Sequence, residues 1–188
     1  LDMGGNAIDA AVAVGFSLAI TLPRAGNLGG GGFLLVYIKD KDEIVSIDYR
    51  GASSLNADLY KIFQKKLPEQ YNEIDRDLVR YGYRASTTPG TVAGLLEAHK
   101  LYGRLPLKDI LAPVIKQARE GILVSYDLHN AIRSAPQLLE DSESKRIYFS
   151  DGKALKINSL MKRPDLAKTI SLISDQGLEG FYAGEVAT

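Results

Sequence analysis

Four consecutive glycines, Gly29-Gly30-Gly31-Gly32, constrain this chain more than any other stretch, because they lie between an apolar segment ending near Leu22 and the apolar run Phe33-Leu34-Leu35-Val36-Tyr37-Ile38. A flexible linker is padded with Ser or other polar residues on both sides, whereas this run is anchored at its ends. Glycine admits positive φ and lets another segment or a ligand reach the main chain, so an anchored run reads as close packing or as the wall of a site. A phosphate-binding loop follows a strand, opens a helix and ends in Gly-Lys-Ser/Thr. Here the order is helix, glycines, strand, with no Lys beside the glycines, so a nucleotide site is not the reading.

The flanking elements follow from local chemistry. Asn6 is an N-cap residue and Asp9, three positions on, suits the positive end of a helix running from Ala7 to about Thr21. Small residues (Ala10, Ala11, Ala13, Gly15, Ser17) and large ones (Ile8, Val12, Val14, Phe16, Leu18, Ile20) circle it completely, as in a helix buried on most sides. It is too short for a membrane span, which needs about 20 apolar residues, and Asp9 and Pro23-Arg24 close it. Residues 33–38 and 43–50 predict a hairpin turning at Lys39-Asp40-Lys41-Asp42. In its second strand Val45, Ile47 and Tyr49 share one face and Ile44, Ser46, Asp48 and Arg50 the other, which sets a carboxylate beside a guanidinium.

Residues 55–86 are rich in charge and Tyr, with weak helical periodicity at 57–66 and no strong strand. Thr88-Pro89-Gly90-Thr91 is a turn that launches a helix from about Val92 to Tyr102, ended by Gly103. A second helix, Leu107 to Glu120, closes at Gly121, and Pro113 within it requires a kink or a restart. Residues 128–139 and 164–174 also read as helical, and Phe149-Ser150-Asp151-Gly152-Lys153 as a turn. No internal repeat or low-complexity tail is visible.

The 188 residues, 45% hydrophobic and 24% charged, are enough for one domain with a real core. Equal numbers of basic and acidic residues, 23 each, argue against nucleic acid or an anionic membrane as partner. The absence of Cys removes thiolate chemistry and disulfides, and two isolated His residues, His99 and His129, leave little room for a zinc site. Neither His stands at a spacing that signals a base or a triad. A chain starting at Leu1 without Met reads as a piece of something longer. Arg50 is the candidate binding residue: a forked donor for a substrate carboxylate, or simply the salt-bridge partner of Asp48.

Several segments together resemble the N-terminal half of the large subunit of the γ-glutamyltransferases (γ-glutamyltranspeptidases). Gly4-Gly5-Asn6-Ala7-Ile8-Asp9-Ala10-Ala11-Val12-Ala13 is similar to the opening motif of that family, Ala25-Gly26-Asn27-Leu28 with the four glycines and Phe33 to its glycine motif, and Ile47-Asp48-Tyr49-Arg50 to its glutamate-reading strand. Thr88-Pro89-Gly90-Thr91-Val92-Ala93-Gly94, Tyr102-Gly103 with Leu105-Pro106-Leu107, Ala118-Arg119-Glu120-Gly121 and Gly180-Phe181-Tyr182-Ala183-Gly184 follow in the family's order.

The resemblance implies an α+β N-terminal-nucleophile hydrolase, a four-layer αββα sandwich of which residues 1–188 form a single partial domain lacking the small subunit. It implies a precursor that cuts itself in two, with the new N-terminal Thr of the small subunit as nucleophile and its own α-amine as base. Thr21, Thr87, Thr88, Thr91, Thr169 and Thr188 do not match that Thr, so the segment alone carries no catalytic residue. Arg50 matches the arginine that grips the α-carboxylate of the γ-glutamyl group. The substrate is then a small γ-glutamyl compound such as glutathione, passed through a γ-glutamyl enzyme to water or an amino acid, with no metal or organic cofactor. The other partner is the small subunit of the same precursor, nucleic acid is not one, no transmembrane span is expected, and the location is periplasmic or secreted. Many members follow the arginine with Glu, whereas here Gly51-Ala52-Ser53 follows Arg50. A non-catalytic relative, or one acting on poly-γ-glutamate or acylated β-lactams, would carry the same motifs.

Overall fold

A computed structural model describes residues 1–53 and 85–188, in two compact units, Gly29–Gly94 and the pair of segments Leu1–Leu28 and Leu95–Thr188. The helical periodicity at 57–66 lies outside the described residues.

In the two-segment unit, helix α1 (Ala7–Thr21) starts in a capping box. The Asn6 side chain accepts from the Ile8 and Asp9 N–H groups at 2.9 and 3.0 Å, and the Asp9 carboxylate accepts from the Asn6 N–H at 2.8 Å. Val12, Phe16 and Ile20 are buried, and Val14 is the large residue left in solvent. Helix α2 (Thr91–Tyr102) ends at Gly103, whose N–H donates to the His99 carbonyl, and its Leu95 fills the space left by Gly15 of α1.

Helix α3 (Leu107–Glu120) runs through Pro113 without restarting. Pro113 and Asp109, four residues earlier, are both exposed, so the carbonyl deprived of its N–H partner is open to water. The opposite stripe, Ile110, Leu111, Val114 and Ala118, is buried, and α3 packs against α1 and against helix α6 (Pro164–Gln176), whose Leu166, Ala167, Ile170 and Ile173 are buried.

A second cluster gathers Val124, Leu128, Ile132 and Met161. Residues 128–139 are not one helix: α4 spans Tyr126–Arg133, and a 3₁₀ turn covers Pro136–Leu139. Pro136 supplies no N–H and drives Ala135 out of the helical region, so the α pattern stops before it. A short helix over Ser142–Tyr148 (α5) and the two-residue pairing of Ile122–Leu123 with Leu160–Met161 leave no period in the sequence. The turn at Asp151-Gly152 is a tight hairpin joining Phe149–Ser150 to Lys153–Ala154, with φ of 51° and 72° at its two central residues. Among the described residues no helix is long and apolar enough to cross a membrane.

Asp9 fastens this unit. It is 3% exposed, and beyond its capping bond it accepts from the main-chain N–H groups of Arg104 and Leu105 at 3.0 to 3.4 Å. Asn6 adds a 2.6 Å bond from its side-chain amide to the Tyr102 carbonyl. Burial pushes the Asp9 carboxyl up, but the N–H groups of Asn6, Arg104 and Leu105, with His99 nearby, outweigh it and hold the pKa below its ordinary value.

The other unit contains the predicted hairpin. Strands β1 (Phe33–Ile38) and β2 (Glu43–Asp48) are antiparallel, with Phe33 opposite Asp48 and Ile38 opposite Glu43, and the turn closes through Asp42 at φ 49°. Phe33, Leu35, Tyr37, Ile44, Ser46 and Asp48 make one exposed face, while Val36, Val45 and Ile47 lie on the more buried one.

A depressed carboxyl pKa stabilises the fold above its unfolded value of about 3.9 and ceases to do so as pH falls through the lower folded value. Asp9→Asn should therefore cost about 2 kcal/mol at pH 7, through weaker and fewer bonds to the loop. In melts followed by circular dichroism, the gap between wild type and Asp9→Asn should narrow as pH drops below about 4.

Candidate substrate-carboxylate site

The glycine run prolongs β1 by close packing. The Tyr49 N–H donates to the Gly32 carbonyl at 2.9 Å and the Gly32 N–H to the Tyr49 carbonyl at 3.3 Å, one rung beyond the formal strands. The Gly30 carbonyl accepts from the N–H groups of Gly90 and Thr91 at 2.8 and 3.0 Å, which satisfies donors that open α2. Ala52 and Thr88 exchange a further pair at 3.3 and 2.8 Å. Main-chain bonds thus join three stretches, 30–32, 49–52 and 88–91.

These stretches meet so closely that side chains are excluded between them. A Cβ at Gly31 would lie 2.6 Å from the Tyr49 oxygen and from the Gly51 nitrogen. One at Gly90 would collide with the Tyr49 carbonyl, and one at Gly94 with the Tyr49 side chain. None of the three has positive φ, so what glycine supplies here is space rather than conformational freedom.

Arg50 follows directly from this clamped residue, just past the end of β2, and is exposed. Asp48 accepts a 3.0 Å bond from the Arg50 main-chain N–H, and no ion pair joins the two side chains. The Asp48–Arg50 salt bridge that spacing allowed is thus replaced by a backbone cap. The guanidinium carbon lies 5.8 Å from the centroid of the Phe33 ring, over its face. Among the described residues no side chain or carbonyl accepts from the guanidinium. An exposed, always charged fork on a rigid backbone suits a carboxylate.

The sequence reading gave Phe33 no role beyond opening an apolar strand-like run. Its place opposite Asp48, on the face that Arg50 shares, was recoverable once the hairpin register was known. The two histidines are structural: ring nitrogens of His99 and His129 bond the carbonyls of Leu105 and Leu155 at 2.8 and 2.7 Å. The hydroxyls of Thr21, Thr169 and Thr188 donate to carbonyls four residues back. Among the described residues no three His, Asp or Glu side chains are grouped to hold a metal ion.

The γ-glutamyltranspeptidase family model matches residues 1–188. The chain is 38% identical over 187 residues to a glutathione hydrolase proenzyme of Pseudomonas aeruginosa, and 38% over 191 residues to one of Escherichia coli, covering all of this chain and 32% of each relative. The crystal structure of Helicobacter pylori γ-glutamyltranspeptidase superposes with a TM-score of 0.90 at 38% identity, over 99% of this chain and 52% of that one. The chain belongs to the γ-glutamyltranspeptidase family. Its fold is an incomplete part of the α+β sandwich of those N-terminal-nucleophile hydrolases, and it spans about a third of the length of the curated relatives it matches.

Gly90→Ala should force the Tyr49 carbonyl aside and break the rung to Gly32, costing about 1–3 kcal/mol as an overpacked site. Thermal unfolding checks this, with exposed Ser46→Ala as a control expected to stay within about 0.5 kcal/mol of wild type.

Proposed function

We propose that the protein to which this chain belongs transfers or hydrolyses the γ-glutamyl group of glutathione and related compounds. The nucleophile is the N-terminal Thr of a small subunit released from the same precursor, and residues 1–188 form one partial domain that the small subunit completes. The hydroxyl oxygen attacks the γ-carbonyl, its proton passes by way of the α-amine to the leaving amine, and a γ-glutamyl ester remains for water or an amino-acid acceptor to open. The family match over the whole chain supports this reading. So do the proenzyme relatives.

Within this chain Arg50 binds the donor's α-carboxylate. The observation that carries this role is an exposed guanidinium, free of ion pairs with described residues, on a backbone held by glycine contacts. Fixing the carboxylate at one end places the γ-carbonyl at the other, and positioning of this sort lowers the barrier by several kcal/mol. The exposed apolar residues Leu35, Tyr37 and Ile44 offer the small subunit a face to cover. Residence in the periplasm or outside the cell belongs to the same proposal.

The test uses the full-length protein. Incubation should yield two chains, and the product should release the aniline from a γ-glutamyl anilide. Arg50→Ala should still self-cleave but lose roughly 10²-fold or more in kcat/KM, the effect of removing a bidentate charged contact. Self-cleavage with Arg50→Ala as active as wild type would contradict the clamp, and neither cleavage nor turnover would point to a non-catalytic relative.

A further inference from the structure

We propose that Phe33 is a positioning residue for the donor's α-carboxylate, acting through Arg50; the inference rests on the carboxylate-clamp reading of Arg50. Phe33 is fixed to β1 directly after the rung between Gly32 and Tyr49 and stands opposite Asp48, so its place relative to Arg50 is set by main-chain bonds. Phe33 is 64% exposed, hence not spent on the core, and the Arg50 guanidinium carbon lies over its ring at 5.8 Å.

Two restraints therefore act on Arg50 from one face of the hairpin. Asp48 holds its main-chain N–H at 3.0 Å, and Phe33 holds its cationic head. The chemistry of the second restraint matters. A carboxylate neighbour would occupy the fork's N–H donors and compete with the substrate, whereas an aromatic face attracts the cation through its quadrupole and takes no N–H bond in the guanidinium plane. Arg50 is followed by Gly51, which has no side chain to pair with it. Phe33 thus limits the rotamers of a long side chain without consuming the donors that read the carboxylate. Losing the ring should weaken donor binding and leave the chemical step intact.

The experiment is a double-mutant cycle on the full-length, self-cleaved protein with a γ-glutamyl anilide as donor. Phe33→Leu should raise KM about two- to fivefold, the contribution of an exposed cation–aromatic contact, with kcat unchanged. Phe33→Tyr should restore KM, and in an Arg50→Ala background Phe33→Leu should alter kcat/KM no further. An unchanged KM in Phe33→Leu, beside a large loss in Arg50→Ala, would overturn the role of Phe33 and leave the clamp standing. If Arg50→Ala itself had no effect, the clamp and this inference would fall together. Equal losses of kcat or self-cleavage in Phe33→Leu and Phe33→Tyr, or an effect of Phe33→Leu that persists without Arg50, would make Phe33 a packing residue and overturn the inference.

Discussion

The closeness with which Gly31, Gly90 and Gly94 approach Tyr49 governs the geometry of the candidate site. Main-chain bonds reach only about 3 Å, so stretches 30–32, 49–52 and 88–91 can share them only where no Cβ intervenes. Glycine costs conformational entropy at each such position, and the return is a backbone whose position does not depend on side-chain rotamers. Arg50 lies within that backbone, between the bonded residues Tyr49 and Ala52. A long, flexible side chain thus starts from a fixed point, which is what recognition of a small anionic group demands of it.

The two-segment unit solves a similar problem by the opposite means. There the loop from Tyr102 to Leu105 is held by the buried Asp9 carboxylate, which accepts from its N–H groups, and by the Asn6 amide, which donates to the Tyr102 carbonyl. A buried charge is tolerated because several N–H donors surround it, and the same donors lower its pKa. Close packing of backbone is indifferent to pH, whereas a bonded carboxylate is not. The two fastenings should respond differently to acid even though each ties a loop to a helix or strand.

Much of this was legible in the sequence where local chemistry decides the outcome. The Asn6–Asp9 cap, the closure of helices at Gly103 and Gly121, and the hairpin with its two faces all follow from short-range rules. The glycine run permitted two readings, packing or wall, and the contacts of Gly31 with residues 49–51 favour packing. What escaped was set by tertiary context or by very short elements. Asp48 and Arg50 share a face, which suggested an ion pair, yet the carboxylate turns to the Arg50 main chain. The helix read over 128–139 broke at Pro136, and α5 and the pairing of 122–123 with 160–161 are too short to leave a period. The role proposed for Arg50 came from resemblance, since spacing left it undecided.

Clamped backbone, capped main chain and aromatic floor converge on one claim, that the Arg50 fork is held ready for a donor carboxylate. The most direct measurement is a crystal structure of the full-length, self-cleaved protein with L-glutamate bound. The account predicts both α-carboxylate oxygens at about 2.7–2.9 Å from two guanidinium nitrogens of Arg50, as in a bidentate pair. Glutamate bound with its α-carboxylate on other groups, and Arg50 turned to solvent or paired with a protein carboxylate, would contradict it.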